Sequence, residues 1–343
     1  MKKSTKNLIG VTLIVLLFST IISCKNKDIP PKGEEKEIVK IQLNEVVRSV
    51  FYAPLYAAVT EGFFQEEGLE IEITTGQGAD KTMQQLLSGN VQIGFSGPEQ
   101  VIYIYNQGRE DYPIVFAQLT QRDGSFLVAR EDDKDFSWED VKGKTLIGGR
   151  PGGMPEMALE YVLKNHGIDV KQDLNLITNI AFNATAGAFK GGTGDYVALF
   201  EPTASVLENE DSGHIVASIG KSAGTLPYTC FYATKSYMEA NPEIIESFTR
   251  AIYKGQQWVS SSTNEEIATA IIDFFPGTDE ETIIKVISNY KDIDAYSATP
   301  DIKEEDMTRL MDIIQSYDSQ LIPKRPPFAD IVDNTFAEKI LQK

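Results

Sequence analysis

Short apolar runs alternate with amphipathic stretches along most of this 343-residue chain, and that alternation restricts it to α/β architecture. Strand-like runs fall at 38–43, 69–74, 91–95, 114–118 and 126–129, with helical stretches at 54–65, 80–87 and 98–107 between them. The acidic segment 130–135 breaks the pattern, and a second series then begins. Ser137 with Asp140 gives a capping-box-like start to a short helix. Strand-like 145–148, 174–177 and 196–200 then alternate with helices at 155–165, 184–190 and 202–208, and strands follow at 215–219 and 229–233. From residue 241 the chain is almost wholly helical, at 242–261, 265–274, 280–289, 304–320 and 328–341.

Past about 250 residues a single core tends to divide. The expected domains are therefore a first lobe of residues 38–130 and 229–343, with residues 131–228 inserted as a second lobe. The lobes are doubly wound and joined by a two-segment hinge near Arg130 and near Tyr228, and the C-terminal helices pack on the first lobe. Ligands in open α/β sheets sit beyond the carboxyl ends of the strands, which places a solvent-open groove between the lobes.

The first residues give an address. Lys2, Lys3 and Lys6 precede an apolar run at 8–22, which ends in Ile21-Ile22-Ser23-Cys24. Fifteen residues are too few to span a bilayer, where about 20 are needed. Residues 1–23 therefore read as a signal peptide with a lipobox, Cys24 as the lipidated residue and 24–37 as a polar tether. The body is expected at the cell membrane, lipid-anchored on its extracytoplasmic face. Formal net charge is −18, and loss of three lysines with the leader makes the body more acidic still. Nucleic acid and broad adhesion to anionic lipid are disfavoured as partners. With Cys24 acylated, Cys230 has no partner for a disulfide.

Several segments carry a family resemblance. They are Tyr52-Ala53-Pro54-Leu55-Tyr56-Ala57-Ala58, Glu61-Gly62-Phe63-Phe64, Glu66-Glu67-Gly68-Leu69-Glu70, Gly89-Asn90-Val91-Gln92-Ile93-Gly94 and the run from Gly194-Asp195-Tyr196 to Phe200-Glu201-Pro202. In order and spacing, over roughly 38–262, the chain resembles the thiamine-pyrimidine-synthase-like (SsuA/ThiY-type) solute-binding lipoproteins of ABC importers. The resemblance implies a type II periplasmic-binding-protein fold that captures a small solute and delivers it to a membrane permease, as a monomer without a cofactor. Relatives in that family include a pyrimidine synthase with a cysteine-rich motif, which this chain lacks, so no enzyme is expected.

Strand-end loops supply the candidate ligand contacts: Arg48 and Tyr52 beside Phe51, Gly78 and Asp80, Ser96 and Glu99, and Gln121 followed by Arg122 and Asp123. The second lobe offers Arg150 and Gly152, Asn183 and Glu201, with Tyr228 at the return crossover. Tyr52 is as readily core as ligand contact, the arginines are more often ion-paired, and Glu201 could cap the helix that starts at Pro202. A flat heterocycle would stack on Tyr52 and donate an exocyclic amine to Glu99 or Glu201. An alkanesulfonate, nitrate or other small anion would instead use Arg48, Arg122 and Arg150. No metal-ligand spacing is present, Gly143-Lys144-Thr145 lacks the remainder of a phosphate-binding loop, and His166 reads as a helix-end histidine.

Overall fold

The computed structural model describes residues 38–342, so the signal peptide, Cys24 and the tether lie outside the described residues. Ten strands form two sheets: β1 (Val39–Glu45), β2 (Leu69–Thr75), β3 (Ile93–Ser96), β4 (Pro113–Thr120), β5 (Ser125–Ala129), β6 (Thr145–Ile147), β7 (Asn175–Ile177), β8 (Tyr196–Phe200), β9 (His214–Ser218) and β10 (Thr229–Thr234). The first sheet has the order β2-β1-β3-β10-β4 and the second β7-β6-β8-β5-β9. In the first, β1 runs parallel to β2 and β3, while β10 is antiparallel to β3 and β4. The second repeats the scheme, with β6 parallel to β7 and β8, and β5 antiparallel to β8 and β9. Each antiparallel strand is the one the chain enters on crossing from the other sheet. Both crossovers consequently lie at the same ends of the strands, where β1, β3, β4, β6 and β8 finish.

The first crossover occupies residues 121–124, ahead of the expected position near Arg130, because β5 already belongs to the second sheet. The acidic break after Arg130 is a surface loop of the second lobe, whereas β5 is buried along its whole length. Gly124 fits this crossing because a Cβ there would lie 2.9 Å from the Phe51 ring and 3.1 Å from Phe200. The returning segment runs alongside: the Leu226 amide donates to the Gln121 carbonyl and the Tyr228 amide to Thr120, each at 3.0 Å.

Aromatic packing dominates the first lobe. Phe95 and Phe231 stack with centroids 4.3 Å apart, and Phe248, on the helix Pro242–Ser261, meets Phe231 edge-on at 5.1 Å. That helix lies against the helix Ala53–Thr60 so closely that a Cβ on Gly255 would reach 2.3 Å from the Pro54 carbonyl oxygen. The second lobe has its own apolar cluster around Leu146, Leu159, Val162 and Trp138.

The C-terminal helices depart from expectation in two ways. They are not confined to the first lobe: Glu304–Tyr317 packs on Met154–Asn165, and Glu280–Asp292 meets Thr203–Asn209, both in the second. Instead of one helix at 328–341 there are two, Phe328–Ile331 and Thr335–Leu341. Between them Val332 bridges to Val115, the Asp333 amide donates to the Val115 carbonyl at 2.8 Å, and the Asn334 side chain bonds both backbone groups of Ile302. These bonds to β4 and to the segment before the helix Glu304–Tyr317 outcompete helix continuation. No helix among the described residues is long and apolar enough to cross a membrane.

Candidate ligand-binding site

At the end of β1 the fold closes a charge cluster on itself. Glu45 is fully buried; its carboxylate takes the Arg48 Nε and the Tyr56 hydroxyl, each at 2.6 Å, and the Thr75 hydroxyl at 2.9 Å. Arg48 lies over the rings of Tyr56 and Phe274, 5.3 and 5.1 Å from their centroids. Its guanidinium is thus committed within the first lobe, and the structure gives Arg48 the ion-pair role rather than a place facing the second lobe. Gly78, at φ +152°, precedes the helix Ala79–Leu87, and Asp80 is exposed on the first turn of that helix.

The ends of β3 and β10 bring a different set together. The Ser96 hydroxyl bonds the Tyr232 hydroxyl at 2.6 Å, and Tyr52 packs edge-on against Phe95 at 4.7 Å. Glu99 opens the helix Glu99–Asn106 and is only 4% exposed, yet its Oε2 has no hydrogen-bonding partner among the described residues. Burial pushes this carboxyl up to about 7, with Arg150 pulling slightly the other way. On the first crossover Asp123 accepts the Ser125 amide at 2.7 Å and the Ser125 hydroxyl, faces Tyr228, and is raised by burial to about 6. Gln121 is tied to its neighbours instead, with its side-chain amide donating to the Asp294 carbonyl at 3.0 Å. The adjacent Arg122 keeps a buried Nε with no partner among the described residues.

Across from this face, the loop after β6 holds Gly148, Gly149 and an exposed Arg150. Glu156, an ordinary first-turn acid by sequence, is fully buried behind the loop and accepts the Gly149 amide at 2.5 Å. A Cβ on Gly148 would sit 2.3 Å from its Oε2, so the two glycines make the room that Glu156 fills. Burial raises Glu156 to about 8, and the neighbouring Glu160 carboxyl adds to the shift. The Gly152 amide donates to the Tyr317 hydroxyl at 3.2 Å, so a C-terminal helix steadies this loop. Asn183 is exposed. Glu201 turns away: it accepts the Ser205 amide and hydroxyl at 2.9 and 2.8 Å and the Asn289 side chain at 2.5 Å. Its role in the structure is helix cap and brace to the C-terminal region, because those donors satisfy both of its oxygens.

Phe51 occupies the middle of the seam, 4.7 Å from Tyr290, 5.8 Å from Tyr228 and 6.3 Å from Phe200. A small cavity on the second lobe's face of the seam, bounded by Ser125, Gly148, Gly149, Arg150, Thr185 and Phe200, has a volume of about 10 Å³. That is room for about one water. Across the seam, beside the crossovers, Phe51 of the first lobe meets Phe200 of the second.

Carboxyls and phenols thus gather where the strand ends of the two sheets converge, as a candidate site on a two-lobed α/β frame. Residues 50–265 match the NMT1/THI5 like family, and the chain belongs to it. A Bacillus subtilis (strain 168) protein that bears the name binding protein YtlA is 45% identical over 326 residues, 95% of each chain. The formylaminopyrimidine-binding protein of Halalkalibacterium halodurans is 25% identical over 262 residues, 74% of this chain and 75% of its own. The periplasmic aliphatic sulphonate binding protein SsuA of Escherichia coli superposes with a TM-score of 0.70 at 12% identity, over 89% of this chain and 99% of that one. The type II periplasmic-binding-protein fold implied by the sequence is the fold observed.

Proposed function

We propose that this protein is the extracytoplasmic solute-binding component of an ABC importer. It is held at the membrane by lipid on Cys24, acts as a monomer and hands a small solute to a permease. Solute enters when the lobes part about the two crossovers and is held when they close, so binding and delivery are coupled through one conformational equilibrium. Binding rather than catalysis is favoured by the names of the Bacillus subtilis and Halalkalibacterium halodurans relatives.

The favoured ligand is a flat nitrogen heterocycle of the pyrimidine type. One observation carries this preference: a buried carboxyl, Glu99, keeps an unpartnered oxygen beside Tyr52 and Tyr228. An amino group would satisfy that oxygen, whereas an anion would be repelled by it and by Asp123. Tyr52, Ser96, Glu99, Tyr228, Arg150 and Gly152 are the proposed contacts, with Gly78, Asp80 and Asn183 at the periphery.

A thermal-shift panel of thiamine pyrimidine precursors, riboflavin, alkanesulfonates, nitrate and polyamines tests the reading. Stabilisation by the pyrimidines, at about 2.7 kcal/mol for solute at 100 times Kd, is expected. A shift with sulfonate or nitrate alone would transfer the site to anions. No shift with any solute, together with turnover in a hydrolase panel, would replace transport by catalysis.

A further inference from the structure

Two buried polar atoms one helical turn apart lack hydrogen-bonding partners among the described residues at the seam end of the first lobe. They are Oε2 of Glu99 and the hydroxyl oxygen of Tyr103, both on the helix Glu99–Asn106. Residues four apart share a helix face. Arg150 of the second lobe acts electrostatically on both, so both lie toward the seam. Its guanidinium forms no ion pair with Glu99 among the described residues. Orphaned buried polar groups are rare in folded proteins because each forfeits its hydration, and two on one face call for a partner that satisfies both.

We propose that Glu99 and Tyr103 form a single recognition edge for the solute. Glu99 accepts an N–H while the Tyr103 hydroxyl donates to an adjacent ring nitrogen. A 4-aminopyrimidine presents that donor beside that acceptor, and its ring is flat enough to lie in a closing seam. Sulfonate and nitrate offer acceptors only and leave the carboxylate facing like charge. The inference rests on the solute-binding reading and deepens it, giving Tyr103 a role that strand-end reasoning misses because it lies a turn further along the helix.

The edge also makes binding proton-linked. Among the described residues, charged Arg150 and neutral Tyr52, Tyr103, Tyr228, Cys230 and Tyr232 face Glu99, and Asp123 lies behind Tyr228. Burial sets the carboxyl near 7. Below that it is protonated, and a neutral carboxyl accepts from the amine more weakly than the carboxylate does, so affinity rises with pH, by up to about tenfold from pH 6 to pH 8.

Isothermal titration calorimetry of 4-aminopyrimidine and 4-methylpyrimidine at pH 6 and pH 8 tests the edge, using wild type, Tyr103→Phe and Glu99→Gln. Tyr103→Phe removes only an unbonded hydroxyl, so it should melt no lower than wild type while binding 4-aminopyrimidine about tenfold more weakly. The pH dependence that remains in Glu99→Gln belongs to the ligand and to Asp123, and wild type should exceed it by up to about tenfold. The methyl analogue should bind wild type more weakly than the amine and discriminate little between wild type and Glu99→Gln. Unchanged affinity in Tyr103→Phe with the same pH dependence in wild type and Glu99→Gln would overturn the edge while leaving solute binding intact. Methanesulfonate or nitrate binding in place of the amine would also overturn it. If no solute of the wider panel binds either, both the edge and the solute-binding reading fall.

Discussion

The two sheets share one strand order and differ in how they are filled. In the first, β3, β4 and β10 are buried along nearly their whole length and carry a stack of phenyl rings, whereas in the second β7 and β9 are largely half-exposed. Polar groups at the strand ends are of both kinds in both lobes, bonded at Glu156 and Glu201 of the second as well. Glu45 with Arg48, and Ser96 with Tyr232, are bonded within the first lobe, while Arg150 and Asn183 stand exposed on the second. The same topology thus gives a first sheet with a stacked aromatic interior and a second that is half-exposed at both of its edges. The orphaned atoms of Glu99 and Tyr103 lie on the first lobe.

The largest expected effect comes from attacking that asymmetry in the cores. Phe231→Ala should cost about 3–5 kcal/mol in denaturant unfolding, and Val216→Ala on β9 about 1 kcal/mol; comparable losses would mean that the lobes are equally packed. Removing Arg48 strands a fully buried Glu45 carboxylate. With Arg48 about a third exposed, Arg48→Ala should cost about 2–3 kcal/mol and leave solute affinity unchanged. Loss of affinity at full stability would put Arg48 back in the site.

Glu156 sharpens the comparison on the second lobe. Its carboxyl is raised to about 8 in the folded state, so the native protein holds a proton that the unfolded chain releases near pH 4.5. Stability from this group is therefore lost as pH rises toward and through 8. Chemical denaturation at pH 6 and pH 9 should show that Glu156→Gln removes about 2 kcal/mol of that decline. An identical decline in the variant would assign it to other groups. The smallest effect is expected from Glu201→Ala, a loss of about 1 kcal/mol as the cap to Ser205 and the brace to Asn289 go, with solute affinity retained.

The α/β class was legible because the period of apolar residues switches between two and 3.6 along the chain, and the long helix Pro242–Ser261 stands out for the same reason. Tertiary bonds were not legible. Nothing local says that Val332 and Asp333 will pair with Val115 and split a helix, or that β5 will join the second sheet before the charged break that follows it. Within the candidate site, strand-end logic points to Ser96, Glu99, Tyr52 and Tyr228, which the structure gathers at one end of the first sheet. The same logic cannot separate Glu99 from Glu201, since an acid after a strand caps its own helix or faces the cleft according to the nearest donors. Glu156 left one sequence signal, the paired glycines Gly148 and Gly149, whose missing side chains make the space it fills.

A crystal structure with the panel solute that stabilises most tests the central claim directly. The account places one solute molecule between the β3 and β10 ends and the loop carrying Gly149 and Arg150, with a nitrogen against the Glu99 carboxylate. Solute density on an outer face of either lobe, with Phe51 still meeting Phe200 across the seam and nothing between the strand ends, would contradict it.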